Sequence, residues 1–381
     1  MIPESKLRIS LLVLLVLAAT LMWRTELGSS FADVKARLTL DTLTIPSKLL
    51  SDFNQKPTVF QAIVVLPKGM PLEAKSVPIM YHFLGFGVGL NEARHEGEIL
   101  QTLMAQNPSL SMVHVFVDAS IDGGYSYFTD SPNNGPWESA FLKELVPAVE
   151  TKLTTQPKAR YLTGHSSGGW TALWLQLHNP SFFSGVWATS PDPADFSDFY
   201  GIDIRPGSHD NFYTDATGAP RPAARSNILG GLTLRQYVAA DDAQRERGDI
   251  ASYEWAFSSR SAAGKPLQLF DRNTGELNQV TLKDWAHYDL ENVLTRELES
   301  SKSELSGKIH LVVGEHDDFF LERPTKLFCA ALATDVLPSS CIVIPDRGHR
   351  DLYFPEPRYY PHGLTLEILN AAAGIKPPGS F

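Results

Sequence analysis

The chain has 381 residues, of which 43% are apolar and 20% are charged, and its formal net charge is −10. So many apolar side chains can bury a large core, which excludes an intrinsically disordered chain. The acidic balance leaves no basic footprint for nucleic acid, and we expect no nucleic-acid partner.

The first thirty residues have the composition of an export signal. Lys6 and Arg8 precede an apolar run from Ile9 to Trp23, and the small residues Gly28 to Ser30 follow it. A basic start, a short apolar stretch and small residues at a cleavage point are typical of a secretory signal peptide. The sequence therefore predicts a cleaved signal peptide or a retained membrane anchor in residues 1–30. The protein is expected outside the cytoplasm, periplasmic or secreted, with membrane attachment if residues 9–23 are retained.

After residue 30, short apolar runs alternate with longer helical patterns. The apolar runs predict strands, because they are rich in Val, Ile, Leu and Thr. The helical patterns repeat apolar residues at helical spacing, and Asn91 is expected to cap the first of them. The predicted strands are Val34 to Ile45, Val59 to Leu66, Pro78 to Phe83, Met112 to Val117, Arg160 to Thr163, Gly185 to Thr189, Lys308 to Val313 and Cys341 to Pro345. The predicted helices are Asn91 to Gln106, Pro136 to Leu153, Gly168 to His178 and Leu364 to Ala373.

This alternation predicts an α/β fold with a mostly parallel, twisted sheet and helices on both faces. The pattern breaks between Pro191 and Gly307, where the chain is polar with scattered aromatic residues. The strand pattern resumes afterwards. We therefore interpret residues 191–307 as a large insertion after the sixth strand, within a single domain of residues 31–381.

A G-x-S-x-G motif lies between the fifth strand and the helix that follows it. It reads Gly164-His165-Ser166-Ser167-Gly168. In α/β-hydrolases this motif is a sharp strand-to-helix turn that lifts a nucleophilic serine above the sheet, with glycines where side chains would collide. The pattern alone has little specificity, but a strand before it and a helix after it are the required context. Ser166 is the predicted nucleophile.

The acid of a hydrolase triad follows the serine in the chain and lies beyond a strand end. The seventh strand runs into a glycine and then Asp317 and Asp318. Asp317 is the predicted orienting acid, with its neighbour Asp318 as the alternative. Asp192, after the sixth strand, is a more remote candidate.

The general base is the last member of the triad in chain order. His349 lies in the loop after the final strand, where such a base is expected. His316 precedes the candidate acid, and His310 falls within a predicted strand where it is expected to pack. His349 is therefore the predicted base.

Beyond the triad order, the chain resembles the putative-esterase family of α/β-hydrolases, in an uncharacterised bacterial subgroup. That family includes siderophore esterases, S-formylglutathione hydrolase, feruloyl esterases and mycolyltransferases. The resemblance covers roughly residues 59–195 and 305–352. It rests on Tyr81 to Gly87, Ser131 to Glu138, Phe141 to Pro147, Thr163 to Trp170, and Trp187 to Phe196.

The resemblance implies an α/β-hydrolase fold and a serine carboxylic-ester hydrolase. It implies Ser166, Asp317 and His349 as the triad, with the backbone amides of Phe86 and Ser167 as the oxyanion hole. Many relatives carry His-Gly after the third strand, whereas this chain carries Leu84-Gly85, which leaves the loop geometry open. The substrate is expected to be a small-molecule or glycan ester.

Several alternative functions compete with this interpretation. The same acyl-enzyme could pass its acyl group to an alcohol or sugar acceptor, and a protein that kept the fold could bind ligands without catalysis. A dinucleotide-binding loop at Gly85 to Gly89 lacks the third glycine at the required spacing. His95-Glu96 lacks the second histidine of a zinc protease. We expect neither a cofactor nor a metal.

The insertion and the cysteines carry two further expectations. The insertion is hypothesised to cap Ser166 with an aromatic pocket, although packing into its own small core explains its aromatic residues equally well. Cys329 and Cys341 are the only cysteines, and they form either a disulfide or two buried thiols. The aromatic residues are Tyr200, Phe212, Tyr213, Trp255, Phe257, Phe270, Trp285 and Tyr288.

Overall fold

A computed structural model describes residues 40–67, 76–122, 124–153, 156–225, 229–244, 248–332 and 340–375 of the protein. The predicted signal or anchor in residues 1–30 lies outside these ranges, as does the start of the first predicted strand. Within the ranges, no helix is both long enough and apolar enough to span a membrane.

Eight strands form one sheet in the order β1-β2-β4-β3-β5-β6-β7-β8. The strand β2 pairs antiparallel with both β1 and β4, and every other pair is parallel. Each of the eight predicted strands is present, with ends that differ by a few residues. The strands are β1 Leu40–Ser47, β2 Thr58–Val65, β3 Ile79–Phe83, β4 Val113–Val117, β5 Arg160–His165, β6 Gly185–Thr189, β7 Ile309–Gly314 and β8 Ser340–Ile344.

The central strands are apolar because both faces of the sheet are covered. Every residue of β4 and of β6 is buried. In β4, Val113 and Val115 belong to the core on one face, and Phe116 belongs to the core on the other, as the alternation of a strand requires.

Eleven helices accompany the sheet in the described residues. They are α1 Lys48–Asn54, α2 Leu90–Gln106, α3 in three segments (Trp137–Ala140, the π-helical Phe141–Leu145 and Val146–Lys152), α4 Ser167–His178, α5 Leu234–Gln244, α6 Asp249–Phe257, α7 Gln279–Trp285, α8 Leu290–Ser300, α9 Lys302–Leu305, α10 Glu322–Leu332 and α11 Leu364–Ala372. Leu100 of α2 and Leu369 of α11 contribute to one core, and Phe141 of α3 and Leu173 of α4 contribute to the other. The helices therefore lie on both faces of the sheet.

Two details of the helices differ from the sequence prediction. Asn91 is not the cap of α2: the cap is Gly89, whose amide donates to the Glu92 carboxylate at 3.2 Å. The short helix α1 was not predicted. It begins after Ser47, whose hydroxyl accepts from the Leu50 amide at 3.1 Å. A single capping serine at the end of a strand is too weak a sequence signal to predict a helix.

Between β6 and β7, the described residues of the range 190–308 contain helices α5 to α9 and no strand of the main sheet. Their aromatic residues divide into two groups. Phe257 and Tyr288 pack on Trp170 and Trp174 of α4, whereas Phe212 stacks on Phe270 within the segment itself, with ring centroids 3.8 Å apart.

A disulfide joins Cys329 of α10 to Cys341 of β8, with their Cα atoms 6.0 Å apart. Of the two alternatives that the sequence left open, the structure has the bonded pair. It ties the helix after β7 to the last strand, and the loop that carries His349 begins a few residues further on.

Candidate active site

The turn between β5 and α4 is strained and tightly packed. Ser166 adopts φ 57° and ψ −126°, a conformation that side chains rarely take. A Cβ atom on Gly164 would lie 2.2 Å from the Gly168 carbonyl oxygen, and one on Gly168 would lie 2.0 Å from the Phe83 carbonyl oxygen. Both glycines of the motif are therefore required by contacts with neighbouring backbone.

Asp317 and His349 meet at the edge of the sheet where β7 and β8 end. His349 Nδ1 lies 2.8 Å from Asp317 Oδ2, and both side chains are buried. Burial alone would raise the pKa of Asp317. The hydrogen bond and charge of His349, helped by the Phe319 amide at 3.0 Å, outweigh burial and hold this pKa below its usual value. The carboxylate can therefore fix the ring and stabilise an imidazolium.

The other predicted acid and bases lie elsewhere. The Asp318 carboxylate accepts from the backbone amide of His349 at 3.3 Å, not from its ring. His316 is exposed, 3.9 Å from Asp346, and His310 stacks on Trp187 as expected for a packed strand residue. The ring of His349 thus pairs with Asp317 among these candidates.

Two rings flank His349. Phe319 meets it edge-on with centroids 5.0 Å apart, and His165 lies 4.4 Å away on another side. Burial, with the charge of His349, lowers the pKa of His165 to about 3. His165 is therefore neutral at physiological pH, and it also contacts the hydroxyl of Thr189 at 3.0 Å.

Asp192 follows β6 and lies beside the nucleophile candidate. Its backbone amide donates to the Ser166 carbonyl at 3.2 Å, and its carboxylate Oδ1 accepts from the Ser166 hydroxyl at 3.3 Å. Oδ2 accepts from the hydroxyls of Tyr127 and Tyr253, at 2.9 and 2.6 Å. Burial raises the pKa of Asp192, although the hydroxyls of Tyr253, Ser167 and Tyr127 oppose the shift. Asp192 therefore contacts Ser166 directly and is not the acid that holds His349.

The loop after β3 approaches the same turn. A Cβ atom on Gly85 would lie 3.1 Å from the His165 carbonyl oxygen and 3.6 Å from Ser166 Cβ. Phe86 follows it and packs against the core, while Tyr125 donates its hydroxyl to the Leu84 carbonyl and anchors the loop. Ser167 begins α4, where backbone amides point away from the helix and can bind an anion.

A small, mainly apolar pocket lies close to Asp317 and Asp192, and it contacts residues that touch their hydrogen-bond partners. Its walls include Phe319, which touches His349, and Tyr200, whose hydroxyl is 3.0 Å from that of Tyr253. Leu234 and Ile250, from the segment between β6 and β7, also line it. This segment therefore contributes to a cavity next to the site.

One group of side chains could hold a cation among the described residues. It consists of Glu315, His316 and Asp346, all exposed to solvent. None of the three belongs to the Asp317–His349 pair, and exposed acidic groups of this kind are common without an ion.

The geometry can be set against known proteins. The profile of the family described as "Putative esterase" matches residues 53–340. The chain belongs to this family. No curated protein matches it.

Solved structures of the family's fold resemble this member. A substrate-bound, fluorophosphonate-binding serine hydrolase of Staphylococcus aureus has a TM-score of 0.50 at 11% identity, over 82% of this chain and 92% of that one. A ferulic acid esterase has a TM-score of 0.49 at 17% identity, with the same coverages. An S-formylglutathione hydrolase of Agrobacterium tumefaciens has 0.48 at 15%, over 84% and 90%. Family membership, the sheet topology and the likeness to the first of these structures show that the chain has the α/β-hydrolase fold.

The sequence did not predict the residues that surround the Ser166 hydroxyl in this member of the esterase family. The sequence analysis gives Asp192 only as a remote alternative acid, although its place after a parallel strand is a signal that it lies at the same sheet edge. Tyr127 and Tyr253 carried no such signal, because one follows a short hairpin and the other lies in the insertion.

Proposed function

We propose that the protein is a serine carboxylic-ester hydrolase that forms an acyl-enzyme on Ser166. The observation that carries the proposal is the 2.8 Å bond between His349 and Asp317, at the sheet edge from which the strained Ser166 turn projects. Family membership supports an ester as the substrate. The roles below follow from the chemistry of acyl transfer.

In the first step, His349 accepts the hydroxyl proton as Ser166 Oγ attacks the ester carbonyl. Asp317 keeps the imidazole in the tautomer that has a free Nε2, and it stabilises the imidazolium that forms. The tetrahedral intermediate collapses with loss of the leaving alcohol, which takes the proton from His349. Water then attacks the acyl-enzyme by the same route, and Ser166 is released.

The developing oxyanion is assigned to the backbone amides of Ser167 and Phe86. Ser167 supplies the first amide of α4, where the helix dipole favours negative charge. The close approach of Gly85 to Ser166 brings the loop that carries Phe86 to the same place. Loss of one such donor typically costs roughly 3 kcal/mol in the barrier.

The resting hydroxyl of Ser166 donates to Asp192. Before it attacks, this hydroxyl must rotate so that it donates to His349 instead of Asp192.

We also propose that residues 1–30 direct export, as their composition predicts.

Hydrolysis of 4-nitrophenyl butanoate by the full-length protein tests the proposal. Ser166→Ala is expected to lower kcat by roughly 10⁴-fold or more, because the nucleophile is lost. Ser303→Ala, at an exposed position of α9, is the matched control and should leave kcat unchanged. A folded wild-type protein with no more activity than Ser166→Ala would contradict the assignment and favour a binding protein.

A further inference from the structure

The carboxylate of Asp192 has its two oxygens committed to different partners. Oδ2 accepts from Tyr127 and Tyr253, and Oδ1 accepts from the hydroxyl of Ser166 at 3.3 Å. The side chain is buried, with 2% of the residue exposed. Its oxygens therefore depend on protein donors in place of water.

The surroundings of Asp192 hold it in this orientation. Tyr127 stacks on Tyr253 with ring centroids 4.8 Å apart, and the Tyr253 hydroxyl also lies 3.0 Å from that of Tyr200. Burial, followed by the charge of Asp192, raises the pKa of both Tyr127 and Tyr253, so their hydroxyls stay protonated and remain donors. Because these two donors occupy Oδ2, the carboxylate presents Oδ1 to Ser166.

Acylation of Ser166 removes the donor to Oδ1. When Oγ bonds to the acyl carbon and its proton leaves with the alcohol, Oγ becomes an ester oxygen that can only accept. Oδ1 has then lost the hydrogen bond from Ser166, while the hydroxyls of Ser167, Tyr127 and Tyr253 still interact with the carboxylate. Loss of a donor to a buried carboxylate is costly, and a donor supplied by the acyl group restores the bond.

We propose that Asp192 makes the enzyme select acyl groups that carry a hydrogen-bond donor on the carbon next to the ester carbonyl. The donor is a hydroxyl or an ammonium group, as in 2-hydroxyacyl and 2-aminoacyl esters. This inference rests on the proposed function, since it requires an acyl-enzyme on Ser166. That carbon is attached to the atom that bonds to Oγ, so a donor on it comes within reach of Oδ1.

The same geometry disfavours other acyl groups. A plain alkanoyl group does not replace the hydrogen bond that Ser166 gave to Oδ1, and an acyl group with a carboxylate at this position adds repulsion between like charges. The effect acts on formation of the acyl-enzyme, and it should therefore be visible in kcat/KM.

Three 4-nitrophenyl esters test the proposal on the full-length protein: those of butanoic, 2-hydroxybutanoic and 2-aminobutanoic acid. Each kcat/KM is divided by the rate constant for hydroxide hydrolysis of the same ester, which removes differences in intrinsic reactivity. A hydrogen bond to a charged group predicts that the wild-type enzyme favours the 2-hydroxy or the 2-amino ester over the butanoate by roughly ten- to a hundredfold. The ratio between those two esters tells which donor is preferred.

The variant Asp192→Asn sharpens the test. The hydroxyls of Tyr127 and Tyr253 keep the amide oxygen of the new side chain at the Oδ2 position, so its NH₂ group faces Oγ. A donor then replaces the acceptor, and the preference for the 2-hydroxy and 2-amino esters should disappear. Tyr253→Phe keeps the acceptor at Oδ1 and one of the two tyrosine donors to Oδ2, and it should retain a preference.

The outcomes separate the two proposals. Hydrolysis of all three esters at equal corrected kcat/KM would overturn the role of Asp192 and leave the esterase assignment standing. An unchanged preference in a folded Asp192→Asn variant would also overturn it. If that variant does not fold, the comparison of the three esters on the wild-type enzyme decides alone. Absence of hydrolysis of every ester would overturn both proposals together.

Discussion

Two buried aspartates lie at the same edge of the sheet, yet their surroundings differ. Asp317 follows β7 and pairs with the imidazole of His349, a group that can become positively charged. Asp192 follows β6 and accepts from the hydroxyl groups of Ser166, Tyr127 and Tyr253, and the Ser167 hydroxyl also interacts with it.

The difference shows that the partners of a buried carboxylate, together with burial, decide the direction in which its pKa shifts. Burial acts on both, but the pKa of Asp317 is lowered and that of Asp192 is raised. An imidazolium compensates a buried negative charge, whereas neutral hydroxyls compensate it only in part. Asp317 is thus suited to stabilising a cation, whereas Asp192 is suited to accepting hydrogen bonds from neutral donors.

The largest effect is expected at Asp317. Asp317→Asn should lower kcat/KM for a 4-nitrophenyl ester by roughly 10⁴-fold, because the amide favours the wrong tautomer of His349. Asp318→Asn is the matched control, since the Asp318 carboxylate accepts from the backbone amide of His349 whereas Asp317 pairs with the ring, and it should cost less than roughly tenfold. A larger loss at Asp318 than at Asp317 would reverse the assignment of the acid.

Removal of the disulfide is expected to have an intermediate effect, on stability. Cys329→Ala with Cys341→Ala should lower the free energy of unfolding by about 3 kcal/mol, as expected for a short closed loop, measured by urea denaturation. The bond lies on the side of Asp317 and His349, so the ester preference assigned to Asp192 should not change. A changed preference would mean that the two regions are not independent.

The smallest effect is an opposite pH dependence of stability for the two aspartates. The pKa of an unfolded aspartate is about 3.9. The pKa of Asp317 is lowered by folding, so its contribution is present above that value and is lost as pH falls through the folded pKa. The pKa of Asp192 is raised, so its contribution is present below about 3.9 and is lost as pH rises through the folded pKa.

Urea denaturation between about pH 3 and about pH 7 checks this contrast. The unfolding free energy of wild type minus that of Asp317→Asn should rise with pH. The same difference for Asp192→Asn should fall with pH. Two differences of the same sign would contradict the contrast between the two carboxylates.

The sheet was largely predictable from the sequence, because each strand carries its own apolar run. Arg160 to Thr163 was predicted as the fifth strand, and β5 extends only two residues further, to His165. The predicted ends of an element are wrong where more than one nearby residue could cap a helix. The helix α2 begins at Leu90 after Gly89, although Asn91 is the better capping residue by type.

The site was predictable only in part, because its members differ in how they are positioned. Asp317 and His349 follow parallel strands, so their order in the chain after Ser166 was enough to predict them as the acid and the base. The tyrosines around Asp192 come from segments with no strand register, Tyr127 at a positive φ of 54° and Tyr253 on a helix of the insertion. Nothing periodic in the sequence relates these segments to Ser166, and only the folded chain brings them together.

Labelling with a fluorophosphonate probe tests the central claim most directly. The full-length protein would be treated with the probe, and the adduct located by peptide mass spectrometry. We predict an adduct on Ser166 that is absent in Ser166→Ala and forms much more slowly in Asp317→Asn. A folded protein that forms no adduct, or one that is labelled at another serine while Ser166 stays free, would contradict an activated Ser166.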